Sequence, residues 1–183
     1  MTALQWSENL IARTLARRTF DRKHLVIVPN CSWPGNECDL LVVTPNLRVI
    51  DVEIKISRSD LKADAKKDKW FHVWDWEIDG PWYCSPEDRK RRPLDWPHRV
   101  WKHYYCVPRD IWDDSLIDSL PSPASGVLLM YEDKTSGDFR INVKRMAKPD
   151  RKAERIAPED AVNIARLASL RMWDALEKLE ERR

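Results

Sequence analysis

The 183 residues suit one compact domain, and with 43% hydrophobic and 34% charged residues the chain is too apolar for disorder and too polar for a membrane protein. Thirty-two basic residues against 30 acidic ones leave a formal charge of +2, which neither demands nor excludes a nucleic acid. No apolar run approaches the ~20 residues of a bilayer span, and the N-terminus lacks the charged and apolar regions of a signal peptide, so the expected location is the cytoplasm.

In chain order, Leu4 to Phe20 reads as a helix with Leu4, Ile11 and Leu15 on one face and Glu8 on the same stripe. A short strand follows at Leu25–Val28, stopped by Pro29-Asn30. Cys38–Thr44 and Leu47–Ile56 are further strands, joined by the turn signal Pro45-Asn46. The latter alternates: Ile50, Val52, Ile54 and Ile56 face one side, Asp51, Glu53 and Lys55 the other. Ser57 or Ser59 caps a helix expected to run to about Trp74. The stretch from about 75 to 100 is rich in Pro, Trp and charge, without regular periodicity, and reads as an insertion. Beyond it the pattern predicts a strand at Trp101–Val107, a short helix at Arg109–Leu120, strands at Gly126–Tyr131 and Phe139–Val143, and a last helix opened by Pro158.

Four cysteines (Cys31, Cys38, Cys84, Cys106) show no metal-ligand spacing and read as ordinary reduced thiols. His24, His72, His98 and His103 show none either and read as structural or exposed.

Chemistry gathers on the second and third strands. Glu53 and Lys55 are two apart and project from one face, and pairing of the strands brings Asp39 to the same face. Two carboxylates and a lysine are costly to bury without compensation. A divalent cation supplies it, since Mg²⁺ takes one or two carboxylates together with phosphate oxygens. The opposing reading is a solvent-facing pair of Glu53 and Lys55, as is ordinary on half-exposed sheets.

At these residues the sequence resembles the PD-(D/E)XK nuclease superfamily. The matching pieces are Glu37-Cys38-Asp39-Leu40-Leu41 and Asp51-Val52-Glu53-Ile54-Lys55, with Cys38 where the motif has proline. The helix entry Ser57-Arg58-Ser59-Asp60-Leu61, with Asp64 and Lys66, looks like that of small phage and predicted DNA-repair members. The resemblance spans roughly Glu37 to Lys67, with Tyr104–Pro108 as the following core strand. It implies an α/β fold with a restriction-endonuclease-like core: a central mixed sheet flanked by helices in the order αβββαβ, here one domain over 1–183 with the insertion and a C-terminal helix. It further implies Asp39, Glu53 and the Ile54 backbone carbonyl as ligands of Mg²⁺, for which Mn²⁺ substitutes. Lys55 would be the catalytic lysine and DNA the substrate. Many members add an acid from the first helix, for which Glu8 is the candidate here.

For holding DNA, Lys66 and Lys67 are chosen because their helix follows the active-site strand; a solvated helix face is the competing reading. The run Arg89-Lys90-Arg91-Arg92, flanked by Trp82 and Trp96, reads equally as a phosphate clamp with stacking aromatics or as a solvated loop. An inactive DNA-binding or protein-interaction module on a nuclease-like fold is the alternative function.

Overall fold

A computed structural model describes residues 6–72 and 92–181. Most of the expected insertion, including Arg89, Lys90 and Arg91, lies outside the described residues.

Six strands, β1 (Val26–Cys31), β2 (Cys38–Val43), β3 (Val49–Ile54), β4 (Lys102–Pro108), β5 (Gly126–Glu132) and β6 (Phe139–Arg145), form one mixed sheet. Their spatial order follows the chain. The first three make an antiparallel meander; β3, β4 and β5 are parallel neighbours; β6 returns antiparallel. A parallel step from β3 to β4 requires a crossover, and it contains α2 (Arg58–Asp64).

Helices cover both faces. On one, Ile11 of α1 (Glu8–Thr14) and Leu15 beyond it pack on Leu40, Val42, Ile50, Val52 and Ile54. On the other, Ile164 of α3 (Pro158–Glu180) packs on Val28, Leu41, Val43 and Val49. Farther along this second face, Leu61 and Trp70 meet Tyr105 and Leu116. Consequently β3 is buried at all six positions, and its charged face lies inside the protein. The reading of Glu53 and Lys55 as a solvent-facing pair is therefore excluded by their burial.

Several boundaries differ from expectation, three of them most clearly. Pro29-Asn30 does not stop β1, which continues to Cys31. β1 is an edge strand, where the missing proline N–H is tolerated. The segment after β4 forms a 3-10 helix only at Asp114–Ser119.

Most consequentially, α2 ends at Asp64 instead of running to Trp74, and a separate 3-10 turn follows at Asp68–Trp70. In one continuous helix Lys67 and Lys69 would project about 200° apart. The extended backbone at Lys67 (ψ 145°) breaks the helix, and both ammonium groups reach the same carboxylates.

Candidate functional site

The site is built outward from β3. Alternation places Asp51, Glu53 and Lys55 on the face under α2. In the parallel register His103 lies beside Asp51 and Tyr105 beside Glu53.

Asp39 enters from β2, just beyond the last paired residues Leu40 and Val52. Its Oδ2 accepts the Ile54 amide at 2.7 Å, so the side chain takes an N–H on the β2-facing edge of β3. Asp64, the last residue of α2, and Lys69, on the 3-10 turn, complete the group.

Ion pairs tie these side chains together. Lys55 Nζ lies 2.7 Å from Glu53, 3.4 Å from Asp64 and 3.6 Å from Asp39. Lys69 Nζ donates to Glu53 Oε1 at 2.5 Å and lies 3.6 Å from Asp51. Lys67 Nζ, half-exposed, reaches Asp64 at 2.8 Å and Glu53 at 3.4 Å. Asp64 also accepts Trp70 Nε1 at 3.1 Å and the Tyr105 hydroxyl at 2.5 Å.

Among the described residues four carboxylates thus face three ammonium groups. Glu53, Asp64 and His103 are 0% exposed and Asp51 1%, while Asp39 keeps 27% of its side chain in solvent. Asp39 is the carboxylate through which this cluster meets water.

Burial and pairing set the protonation states. Burial works against the charge of Glu53, but Lys69 and Lys55 outweigh it and hold the carboxyl below its ordinary range. Asp64 is likewise depressed, with Lys69 and its hydrogen bonds overcoming burial. Asp51 goes the other way: burial pushes it up to about 7 despite Lys69. Asp39 is raised to about 6, by burial and then by the charge of Glu53. Burial, then Lys69, keeps His103 neutral well below its usual range.

The expected residues divide cleanly. Asp39, Glu53 and Lys55 come together, and Lys67 joins them, though as a partner of carboxylates. Lys66 is exposed on the loop after α2, and it is its neighbour Lys67 whose ammonium reaches Glu53 and Asp64. Glu8 does not face the core: it is exposed at the first residue of α1, and that helix covers the opposite face of the sheet. Arg92 is half-buried beside the turn, its carbonyl accepting the His72 amide.

Sequence reasoning missed Asp64, Lys69 and His103 as members of the site, and passed over Asp51. Asp51 had a signal, since it shares the face of Glu53 by alternation. His103 is adjacent only through the parallel register, and Lys69 only through the helix break.

Asp39 and Glu53 suit a hard divalent cation. Two carboxylates converge beside one ammonium, and burial, then the charge of Glu53, raises the Asp39 carboxyl, a penalty on its charged form that such an ion relieves. Glu53 would give up one of its ammonium partners to bind it.

This is a mixed α/β protein with a buried, lysine-rich carboxylate cluster at the centre of its sheet. No family model and no curated protein matches its sequence. In structure it is similar to SPO1766, a protein of unknown function from Silicibacter pomeroyi, with a TM-score of 0.53 and 18% identity over 97% of this chain and 94% of that one. This likeness extends over nearly the whole of both chains and concerns the fold. Among the described residues no helix is long and apolar enough to cross a membrane.

Proposed function

We propose that the protein is a metal-dependent nuclease that hydrolyses DNA phosphodiester bonds in the cytoplasm, on a restriction-endonuclease-like core. The observation that carries this reading is the meeting of Asp39 with Glu53 and Lys55 around one ammonium, at 3.6 and 2.7 Å. The order helix, three strands, helix, strand supports it, as does the position of the partly exposed Asp39 at the end of the β2–β3 pairing.

Asp39, Glu53 and the Ile54 carbonyl would hold Mg²⁺ or Mn²⁺, which when bound activates water and polarises the phosphoryl group. Lys55 keeps its proton, because Glu53 and Asp64 outweigh its burial; it orients water and offsets charge on phosphoryl oxygens as a fixed cation. Asp64 holds Lys55 from the far side. Lys67, at the rim, is placed to exchange a carboxylate for a substrate phosphate.

One observation favours the alternative of an inactive DNA-binding or protein-interaction module: three ammonium groups already occupy both oxygens of the fully buried Glu53. A cleavage assay on linear, circular and branched DNA with Mg²⁺ or Mn²⁺ separates the readings. Hydrolysis that is lost in Glu53→Gln supports the nuclease. Salt-dependent DNA affinity without product, in either metal, supports the inactive binder.

A further inference from the structure

The cluster contains two atoms that its lysines do not satisfy. His103 Nε2 and Asp51 Oδ1 are buried without a hydrogen-bond partner among the described residues. An orphaned buried polar atom is costly, and here two of them lie in one spot. His103 Nε2 is aimed at Asp51, 3.7 Å from its Oδ2. Ligand atoms of Asp51, Glu53 and His103 all lie within 4.8 Å of one another.

The imidazole is held as metal-binding imidazoles are held. Its other nitrogen, Nδ1, lies 3.0 Å from the Ser125 hydroxyl, which fixes the ring; with the proton on Nδ1 and donated to that hydroxyl, Nε2 offers its lone pair to an ion. Trp70 and Tyr105 grip the ring edge-on, with centroids 4.8 and 4.7 Å away.

We propose that Asp51, Glu53 and His103 form a second cation site, distinct from the Asp39 edge of the cluster, that takes a first-row transition ion such as Mn²⁺ or Zn²⁺. The donor set selects the class: one neutral imidazole with two carboxylates suits these ions, whereas Mg²⁺ and Ca²⁺ prefer oxygen alone.

Lys69 is the cation nearest these ligand atoms, and a bound ion would take its place. Its ammonium bonds Glu53 but remains 3.6 Å from Asp51, too far to donate, and leaves both orphaned atoms unpaired. Charge favours the exchange. With Lys69 inside, three ammonium groups face four carboxylates; a divalent ion in its place, with Lys55 and Lys67, balances all four. Lys69 is carried on the three-residue 3-10 turn, outside the sheet and α2.

The site shares Glu53 with the proposed hydrolytic centre but does not depend on that activity. Pulsed EPR of chelator-stripped protein loaded with Mn²⁺ alone reads it directly, because a ligating imidazole adds ¹⁴N modulation that carboxylates cannot. The modulation is expected in the wild type and in Asp39→Asn, and should vanish in His103→Gln. The triple variant His24→Gln, His72→Gln, His98→Gln leaves the core untouched and must keep the signal, so the assignment stands or falls even if His103→Gln folds poorly. Lys69→Met should tighten Mn²⁺ by roughly tenfold or more, the equivalent of one charge-assisted hydrogen bond to a carboxylate. Mn²⁺ bound without nitrogen modulation, modulation that survives His103→Gln or disappears in the triple variant, or no Mn²⁺ binding at all, overturns the site. Cleavage without modulation removes this site and keeps the nuclease; modulation without cleavage does the reverse.

Discussion

Asp64 shows how much one residue carries in this molecule. It is fully buried and pairs with Lys55, Lys67 and Lys69 while accepting from Trp70 and Tyr105. Asp64→Ala would leave several buried donors without an acceptor, and breaking a buried ion pair costs about 3–5 kcal/mol. Urea unfolding should show a loss of that size. Asp64→Asn should lose less, because its carbonyl still accepts from Tyr105.

Glu53 teaches the same lesson. From the sequence, Glu53→Ala looks harmless to the fold, since removing one carboxylate relieves repulsion among like charges. In the structure Glu53 is the shared partner of three ammonium groups, so its truncation strands buried positive charge; the isosteric Gln is the gentler probe.

The same cluster sets a pH dependence. Asp51 in the folded protein holds its proton to about pH 7 and Asp39 to about pH 6, against an unfolded value of 3.8. Between those limits the folded state binds more protons, so these two groups make stability fall as pH rises through the window. Glu53 and Asp64 act oppositely: their contribution is present above the ordinary carboxylate range and lost as pH drops below it. His103 opposes them in the same window, since it stays neutral in the fold while the unfolded imidazole binds a proton below its ordinary value of 6.5. Two raised carboxyls outweigh one imidazole, so urea midpoints should decline shallowly from about pH 5 to about pH 7, and Asp51→Asn should flatten or reverse that decline. A wild-type midpoint that rises over this interval contradicts the assignment.

Among the elements, β3 was the most legible and α2 the least. Six alternating residues in a short strand carry their own register, and the hairpin signal at Pro45-Asn46 places β2 beside them, which is why Asp39, Glu53 and Lys55 could be named together. The end of α2 carries no such signal. Ser57 starts the helix, accepting the Asp60 amide at 3.2 Å, but nothing in Ala65-Lys66-Lys67 resists helix. The break is imposed from outside, by carboxylates that draw Lys67 and Lys69 to one place. Tertiary electrostatics overrode local propensity there, and Lys69 stayed hidden with it.

The join between β4 and β5 rests on a glycine. A Cβ on Gly126 would enter the Tyr104 ring and lie 2.7 Å from the Ala147 amide nitrogen. Gly126→Ala should cost about 1–3 kcal/mol as overpacking, measurable as a lower unfolding midpoint. Tyr104→Leu in the same chain should recover only part of it, because the second obstacle is backbone.

For the whole molecule, the resemblance implied a central mixed sheet flanked by helices, and the described structure has a six-stranded mixed sheet with helices on both faces. The burial of the charged face was less visible: it depends on α2, the turn after it and β4 arriving together over a strand whose sequence alone is equally consistent with solvent.

Net charge is nearly balanced, so the proposed DNA affinity would have to come from local basic clusters. Changing Arg89, Lys90, Arg91 and Arg92 together to alanine should weaken DNA binding similarly across sequences. It should also flatten the slope of log affinity on log salt by roughly one unit, or slightly less, for each phosphate that the run neutralises. An unchanged slope would remove this run from the DNA interface.

The most direct test of the central claim is the single-turnover cleavage rate of one DNA, in Mn²⁺ or Mg²⁺, for the wild type and Asp39→Asn. Asp39 is the site's partly exposed carboxylate, so the substitution spares the buried ion pairs of Glu53 and Asp64. Hydrolysis by the wild type, slowed about 10²-fold or more in the variant with DNA affinity retained, is the predicted result. Equal rates in the two proteins, or no cleavage by the wild type in either metal, would contradict the account.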